Sequence, residues 1–202
     1  MTITFNNVGV VGTGAMGQGI AQMAAQAGAQ VFLFDMQAPA VEKAVQAIQL
    51  QWQKMLEKGR ISSDTCSAYT GRLRACDSLA QLSACDLVIE AIVENLSIKH
   101  QVFQQLEQVV GPTCVLASNT SSLSIASIGA CLQDPSRFLG IHFFNPATLM
   151  PLVEVIPGVA TQKEVTNQIE NLIGSWHKTV VVCKDTPGFI VNRVARPFYG
   201  EA

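Results

Sequence analysis

The segment Val8-Gly-Val-Val11 runs directly into Gly12-Thr-Gly14-Ala-Met-Gly17, and an Ala-, Gln- and Met-rich stretch follows as far as Ala27. Few folds accommodate a G-x-G-x-x-G that closes an apolar strand and opens a helix. Gly12 permits a tight turn. Gly14 lets the backbone come close to an anion, and Gly17 lets helix and strand pack closely. Gly28 is a helix stop, and Val31-Phe-Leu-Phe34 is a second apolar run ending at Asp35. Strand, glycine turn, helix and strand make a βαβ unit of about 30 residues.

The helix opening at Gly14 presents free backbone N–H groups, from Ala15, Met16 and Gly17, to an anion such as a pyrophosphate. Asp35 lies 18 residues past Gly17. A carboxylate there accepts hydrogen bonds from an adenosine ribose and repels a 2′-phosphate, which favours NAD over NADP. The plainer alternative is a glycine-rich turn in an α/β protein that holds no nucleotide.

Beyond this unit the periodicity predicts a helix from Pro39 to about Lys58, stopped by Gly59. A second helix, capped by Ser62-Ser63-Asp64, is predicted to run to about Arg74. The pair reads as a helical hairpin inserted between strands. Strands are predicted over Asp86–Ala91, Cys114–Ala117, Phe138–Phe143, Leu152–Ile156 and Thr179–Cys183. Helices are predicted over Ile98–Val109, Ile125–Cys131, Lys163–Trp176 and Phe189–Glu201. The alternation predicts an α/β fold: a Rossmann-type, doubly wound, mostly parallel sheet with an inserted helical hairpin. Pro187-Gly188 is a break. It divides residues 1–186, a nucleotide-binding domain, from 187–202, which reads as the truncated start of an all-helical domain.

Composition narrows the function. Hydrophobic residues make up 49% of the 202 positions and charged residues 14%, with a formal net charge of −2. A buried core is expected, and neither a nucleic-acid nor a membrane-surface partner is implied. No apolar stretch reaches the ~18 residues of a membrane span. The opening Met1-Thr-Ile-Thr-Phe-Asn-Asn lacks a basic n-region, so no signal peptide is read and a cytoplasmic location is expected. The six cysteines contain no C-x-x-C and no nearby His at ligand spacing. They are expected to be free thiols, with no disulfide and no metal.

Three stretches are polar where strand ends are predicted: Ser118-Asn-Thr-Ser121-Ser122, His142-Phe-Phe-Asn145-Pro146 and Leu152-Val-Glu154-Val. In an open parallel sheet, ligands bind at the carboxyl ends of the strands. His142 and Glu154 are 12 residues apart and flank the Asn145-Pro146 loop. A carboxylate paired with an imidazole fixes its tautomer, as removal of an alcohol proton requires. Taken singly, His142 also fits a satisfied core histidine and Glu154 a solvent-facing strand residue. Ser121 also fits a helix N-cap, Asn192 a cap or packing residue, and Glu94 and Lys99 solvated charges.

Read together, Ser118-Asn-Thr-Ser-Ser-Leu, His142-Phe-Phe-Asn-Pro, Leu152-Val-Glu-Val and Asp185-Thr-Pro-Gly-Phe-Ile-Val-Asn192-Arg resemble the 3-hydroxyacyl-CoA dehydrogenase family over the whole chain. The tail Asn192-Arg-Val-Ala-Arg-Pro-Phe-Tyr is most similar to the 3-hydroxyacyl-CoA or 3-hydroxybutyryl-CoA dehydrogenases of bacterial phenylacetate and fatty-acid catabolism. The resemblance implies NAD-dependent oxidation of an L-3-hydroxyacyl-CoA to a 3-ketoacyl-CoA. It implies His142 as base, Glu154 as the carboxylate that orients it, and Ser121 and Asn192 as residues holding the substrate oxygen. By the same resemblance Asn145 lies near the nicotinamide, Glu94, Lys99 and Ser121 line the cofactor, and Lys58 contacts the CoA portion. Lys54 and Lys58, four apart, equally fit a charged surface helix. Pro151 stands where many relatives carry Lys, which bears on chain-length preference.

The resemblance further implies a helical domain beyond Ala202 that closes the cleft and forms a homodimer. Without it the chain is expected to bind NAD, and an NAD-binding domain without catalytic activity is the alternative reading. A β-hydroxyacid dehydrogenase is disfavoured, because its catalytic Lys would replace the His–Glu pair.

Overall fold

The computed structural model describes residues 5–200, with side chains as far as residue 195. The reading of the first four residues and the predicted helix end at Glu201 lie outside the described residues. In chain order the elements are β1 (Asn7–Val11), α1 (Ala15–Gln26), β2 (Gln30–Phe34), α2 (Ala38–Glu57), α3 (Ser63–Thr70), β3 (Leu73–Cys76), β4 (Leu87–Glu90), α4 (Leu96–Val109), β5 (Val115–Ser118), α5 (Ile125–Gly129), β6 (Phe138–Phe143), β7 (Leu152–Pro157), α6 (Lys163–Ser175), β8 (Thr179–Val182) and α7 (Val191–Gly200).

The strands form one sheet in the order β3-β2-β1-β4-β5-β6-β7-β8. The first six are parallel, β7 runs antiparallel to β6, and β8 runs parallel to β7. The chain winds outward from β1 to β3, then returns to β4 on the other side of β1. That reversal opens a crevice at the carboxyl ends of β1 and β4.

Alternation along the strands feeds two cores. Leu87 and Ile89 of β4 join Ile20, Ile48, Trp52 and Ile169 of α1, α2 and α6 on one face. Val88 joins Phe103, Leu106 and Ile128 of α4 and α5 on the other. The result is three layers with the sheet in the middle, and β4 is buried at all four positions.

One predicted element is corrected. The helix expected to reach Arg74 ends at Thr70, with Gly71 as its C-cap, and Leu73–Cys76 is an edge strand paired in parallel with β2. In this strand Leu73 and Cys76 are buried while Arg74 and Ala75 are exposed. That i, i+3 spacing imitates a helix face, and only the partner strand decides against it. The helical pair α2–α3 therefore sits between β2 and β3, and the sheet gains a strand.

The six cysteines are free, and four of them are buried. Among the described residues, no helix is long and apolar enough to cross a membrane, and no group of His, Cys, Asp or Glu has metal-ligand geometry.

Candidate active site

The glycine turn is built for two kinds of neighbour. Gly12 has φ +95°, and a Cβ there would lie 2.6 Å from the carbonyl oxygen of Ala91; at Gly17 it would lie 1.8 Å from the carbonyl oxygen of Gly12. These two glycines are required by the protein's own backbone. Gly14 differs: a Cβ there would meet nothing within 4 Å. It is the N-cap of α1 and provides no side-chain cap, so the first N–H groups of the helix face open space. A cleft of about 450 Å³ begins there, lined by Gly12, Gly14, Asp35, Ile92 and Val102 among others. Open room at Gly14 in front of an uncapped helix start fits a dinucleotide pyrophosphate.

Asp35 directly follows β2 and does more than the sequence indicated. Its Oδ2 accepts from the Thr13 N–H at 2.8 Å and the Thr13 hydroxyl at 3.0 Å, and Oδ1 accepts from the Gln37 N–H at 3.1 Å. A carboxylate has about four acceptor positions. Asp35 therefore staples the glycine turn and keeps one position open to the cleft.

Polar groups at the ends of β4 and β5 form a buried network. Glu90, fully buried, accepts from Lys99 Nζ at 2.6 Å, from the Ile92 N–H at 2.7 Å and from the Ser118 hydroxyl at 2.7 Å. Lys99 is 1% exposed and also lies 3.4 Å from Glu94. It is a buried ion-pair partner rather than a solvated charge. Glu94 in turn accepts from the Thr120 and Ser122 hydroxyls and from the N–H groups of Ser121 and Ser122. Burial works against ionisation of Glu94, but these hydrogen bonds and Lys99 outweigh it and hold the carboxyl below the usual range.

Ser124 is the N-cap of α5, accepting from the Ser127 N–H, so the helix does not use Ser121 as its cap. The Ser121 hydroxyl has no protein partner among the described residues.

His142 and Glu154 face each other in the antiparallel register of β6 and β7. His142 Nδ1 pairs with Glu154 Oε2 at 2.7 Å, with His142 5% and Glu154 1% exposed. Glu154 is not a solvent-facing strand residue, because the segment that follows β8 folds over it. Gly188 (φ +78°) and Phe189 (φ +49°) turn the chain so that Phe189 packs against the His142 ring. The N–H groups of Ile190 and Val191 then donate to Glu154 Oε1, both at 2.9 Å. Nε2 of His142 has no protein partner among the described residues and is left to meet a ligand. At the second residue of α7, Asn192 Nδ2 donates to the Ser121 carbonyl at 3.1 Å.

Asn145 is exposed on the loop after β6, and that loop packs Ala147 against Gly19 of α1. Asn119 Oδ1 accepts from the Phe143 N–H at 2.9 Å and ties the ends of β5 and β6 together. Lys58 is exposed at the C-cap of α2, and among the described residues no side-chain hydrogen bond or ion pair links it to this cluster.

The family model for the 3-hydroxyacyl-CoA dehydrogenase NAD-binding domain matches residues 7–186. The chain belongs to the 3-hydroxyacyl-CoA dehydrogenase family. It is 46% identical over 202 residues to 3-hydroxyadipyl-CoA dehydrogenase of Escherichia coli K12, covering all of this chain and 42% of that protein. It is 41% identical over 194 residues to a probable 3-hydroxybutyryl-CoA dehydrogenase of Deinococcus radiodurans, covering 96% of this chain and 69% of that protein. The crystal structure of 3-hydroxybutyryl-CoA dehydrogenase from E. coli superposes with a TM-score of 0.96 at 45% identity, over 98% of this chain and 42% of that one. The chain thus spans between two fifths and seven tenths of the length of these family members. The family model names the cofactor as NAD, in agreement with the open room at Gly14 and the carboxylate at Asp35.

The sequence did not single out Glu90 or Thr13, and Asn119 and Thr120 stood only within the polar stretch 118–122 with no role of their own. Glu90 and Ser118 carry a signal in retrospect. Each is a polar residue at the last position of an otherwise apolar strand, on the sheet edge where ligands bind.

Proposed function

We propose that this chain provides the cofactor domain and the base for NAD-dependent oxidation of an L-3-hydroxyacyl-CoA to a 3-ketoacyl-CoA. The observation that carries this reading is the buried His142–Glu154 pair on the same sheet edge as the glycine turn, with Nε2 left free. In this reading Gly12, Gly14, Ala15, Met16 and Gly17 cradle the pyrophosphate, and Asp35 takes the adenosine ribose. Asn145 and Glu94 border the nicotinamide half, and Lys99 acts there by holding Glu90 and Glu94. NAD, when bound, supplies the acceptor for the hydride that leaves substrate C3. His142 takes the proton of the 3-hydroxyl at Nε2, and Glu154 keeps Nδ1 protonated and the ring in place. The Ser121 hydroxyl and the Asn192 amide donate to the oxygen as it becomes a carbonyl. Holding C3 and oxygen in one orientation supplies much of the acceleration.

The same reading extends to substrate and assembly. Likeness to a protein named 3-hydroxyadipyl-CoA dehydrogenase, together with the motif after Asn192, supports a place in phenylacetate or fatty-acid catabolism. Lys58 contacts the CoA portion. The protein works in the cytoplasm as a homodimer formed through a helical domain that begins near Pro187, without nucleic-acid or membrane partners.

The test, in the full-length protein, is NADH titration followed by NADH oxidation driven by acetoacetyl-CoA and by 3-oxoadipyl-CoA. NADH binding with ketoacyl-CoA-dependent oxidation supports the proposal, and faster turnover of the dicarboxylic substrate supports the phenylacetate assignment. NADH binding without turnover of either substrate leaves a cofactor-binding domain and overturns the catalytic reading.

A further inference from the structure

Two segments carry the groups assigned to the substrate oxygen: the loop from Ser118 to Ser124, with Ser121, and the stretch from Asp185 to Asn192. One carboxylate ties them together. Asp185 Oδ1 accepts from the Ile125 N–H at 2.9 Å, and Oδ2 accepts from the Ser124 hydroxyl and the Ala126 N–H, each at 2.8 Å. All three donors sit at the end of the Ser121 loop, where α5 begins. Glu94 holds the middle of that loop through the N–H groups of Ser121 and Ser122. Glu94 and Asp185 therefore clamp Ser121 from both sides.

The other segment starts at Asp185 itself. From there the chain turns through Gly188 and Phe189, gives its Ile190 and Val191 N–H groups to Glu154, and reaches Asn192. Asn192 closes the ring by donating to the Ser121 carbonyl at 3.1 Å. The closed path runs Asp185, Ser124, Ser121, Asn192 and back along the chain to Asp185. Only two of its links are side-chain bridges: the Asp185 carboxylate and the Asn192 amide.

We propose that Asp185 is a positioning residue, whose carboxylate sets the placement of Asn192 relative to Ser121. It touches neither the glycine turn nor the His142–Glu154 pair, so it acts on the oxygen-holding groups without acting on cofactor or base. The inference rests on the function proposed above, and wild-type turnover is the control that separates the two. A wild type that turns over leaves that function standing, whatever the variants of Asp185 do.

The experiment is a double-mutant cycle in the full-length protein with Asp185→Asn and Asn192→Ala, using Ser124→Ala as a gentler break of the same link. An Asn at 185 offers one acceptor oxygen and sets an N–H₂ against backbone donors, so the bridge opens with little change in volume. Asp185→Asn is expected to lower kcat by about tenfold to a hundredfold, the range for misplacement of about 1 Å. NADH affinity should stay within about twofold of wild type, because the Asp185 carboxylate bonds only Ser124, Ile125 and Ala126 and leaves the glycine turn and Asp35 untouched. In the Asn192→Ala background the same change should lower kcat by no more than about threefold, because the group it places is gone. Ser124→Ala should lower kcat in the same direction and by less.

Hydrogen exchange gives a readout independent of turnover. The amides of Ile125 and Ala126, which Asp185 holds, should lose protection in Asp185→Asn, while those of Ile190 and Val191, held by Glu154, and those of β1 and α1 do not. A double variant whose loss equals the product of the two single losses overturns the proposal. So does an Asp185→Asn protein with wild-type kcat, or one in which exchange rises throughout the domain.

Discussion

His142 and Glu154 stand directly opposite each other on antiparallel strands, 2.7 Å apart between Nδ1 and Oε2, and the second oxygen of Glu154 holds the start of α7. One carboxylate thus joins the proposed base to the segment that brings in Asn192. Removing it should do two things at once. Glu154→Gln keeps the size but sets an N–H₂ against donors on one side. Turnover should fall by about 10²-fold or more, and the amides of Ile190 and Val191 should exchange faster. A pre-steady-state assay and hydrogen exchange on the same sample check this. Loss of turnover with unchanged protection at those two amides would separate the two roles.

The glycines of the turn should separate by phenotype. Gly17→Ala forces a Cβ to 1.8 Å from the Gly12 carbonyl oxygen and should destabilise the fold by about 1–3 kcal/mol or more. Gly14→Ala meets no protein atom within 4 Å, at φ −64°, and should fold with a near wild-type Tm. Its NADH affinity should nonetheless fall sharply, because the added methyl takes the room assigned to the pyrophosphate. Thermal melts with and without NADH distinguish the two.

Glu94 sets an acid limit. Its folded-state carboxyl lies below the ordinary range, so its contribution to stability is full above that range and is lost as pH falls through the folded value. The difference in Tm between wild type and Glu94→Gln should be present at pH 7 and shrink below about pH 4. A difference that stays constant from pH 7 to pH 3 would contradict this assignment.

The cysteines should label in two groups. Burial pushes the Cys114 thiol up to about 12, and burial with the neighbouring Glu154 and Asp185 carboxylates does the same at Cys183. Cys76 and Cys85 are raised as well, in both cases mainly by burial. A thiol-specific reagent at pH 8 should modify the partly exposed Cys66 and, more slowly because burial raises its thiol too, Cys131 in the folded protein, and all six after denaturation. Mass mapping of the modified peptides is the check.

Much of this was legible in the residue pattern, and the misses share a cause. The glycine turn, Asp35 and most strands follow from local rules: a buried strand is apolar, and a turn at φ +95° pressed against a neighbouring carbonyl, as at Gly12, needs glycine. The pairing of β3 was hidden because Leu73 and Cys76 repeat at helical spacing, and strand pairing is a long-range choice. The burial of Glu154 and Lys99 was hidden for a similar reason. Each lies near the chain's own distant segments, Glu154 under residues 189–191 and Lys99 against Glu90 and Glu94, and alternation says nothing about a cover arriving from elsewhere. Asp185 stood inside a motif that carried the family resemblance, yet its partners Ser124 to Ala126 are about 60 positions earlier.

The most direct test of the account is His142→Ala, assayed in parallel for NADH affinity and for acetoacetyl-CoA-dependent NADH oxidation in the full-length protein. The account predicts that turnover falls by about 10²–10⁴-fold while NADH affinity stays close to wild type. Turnover that survives the substitution, or NADH affinity that collapses with it, would contradict His142 as the base.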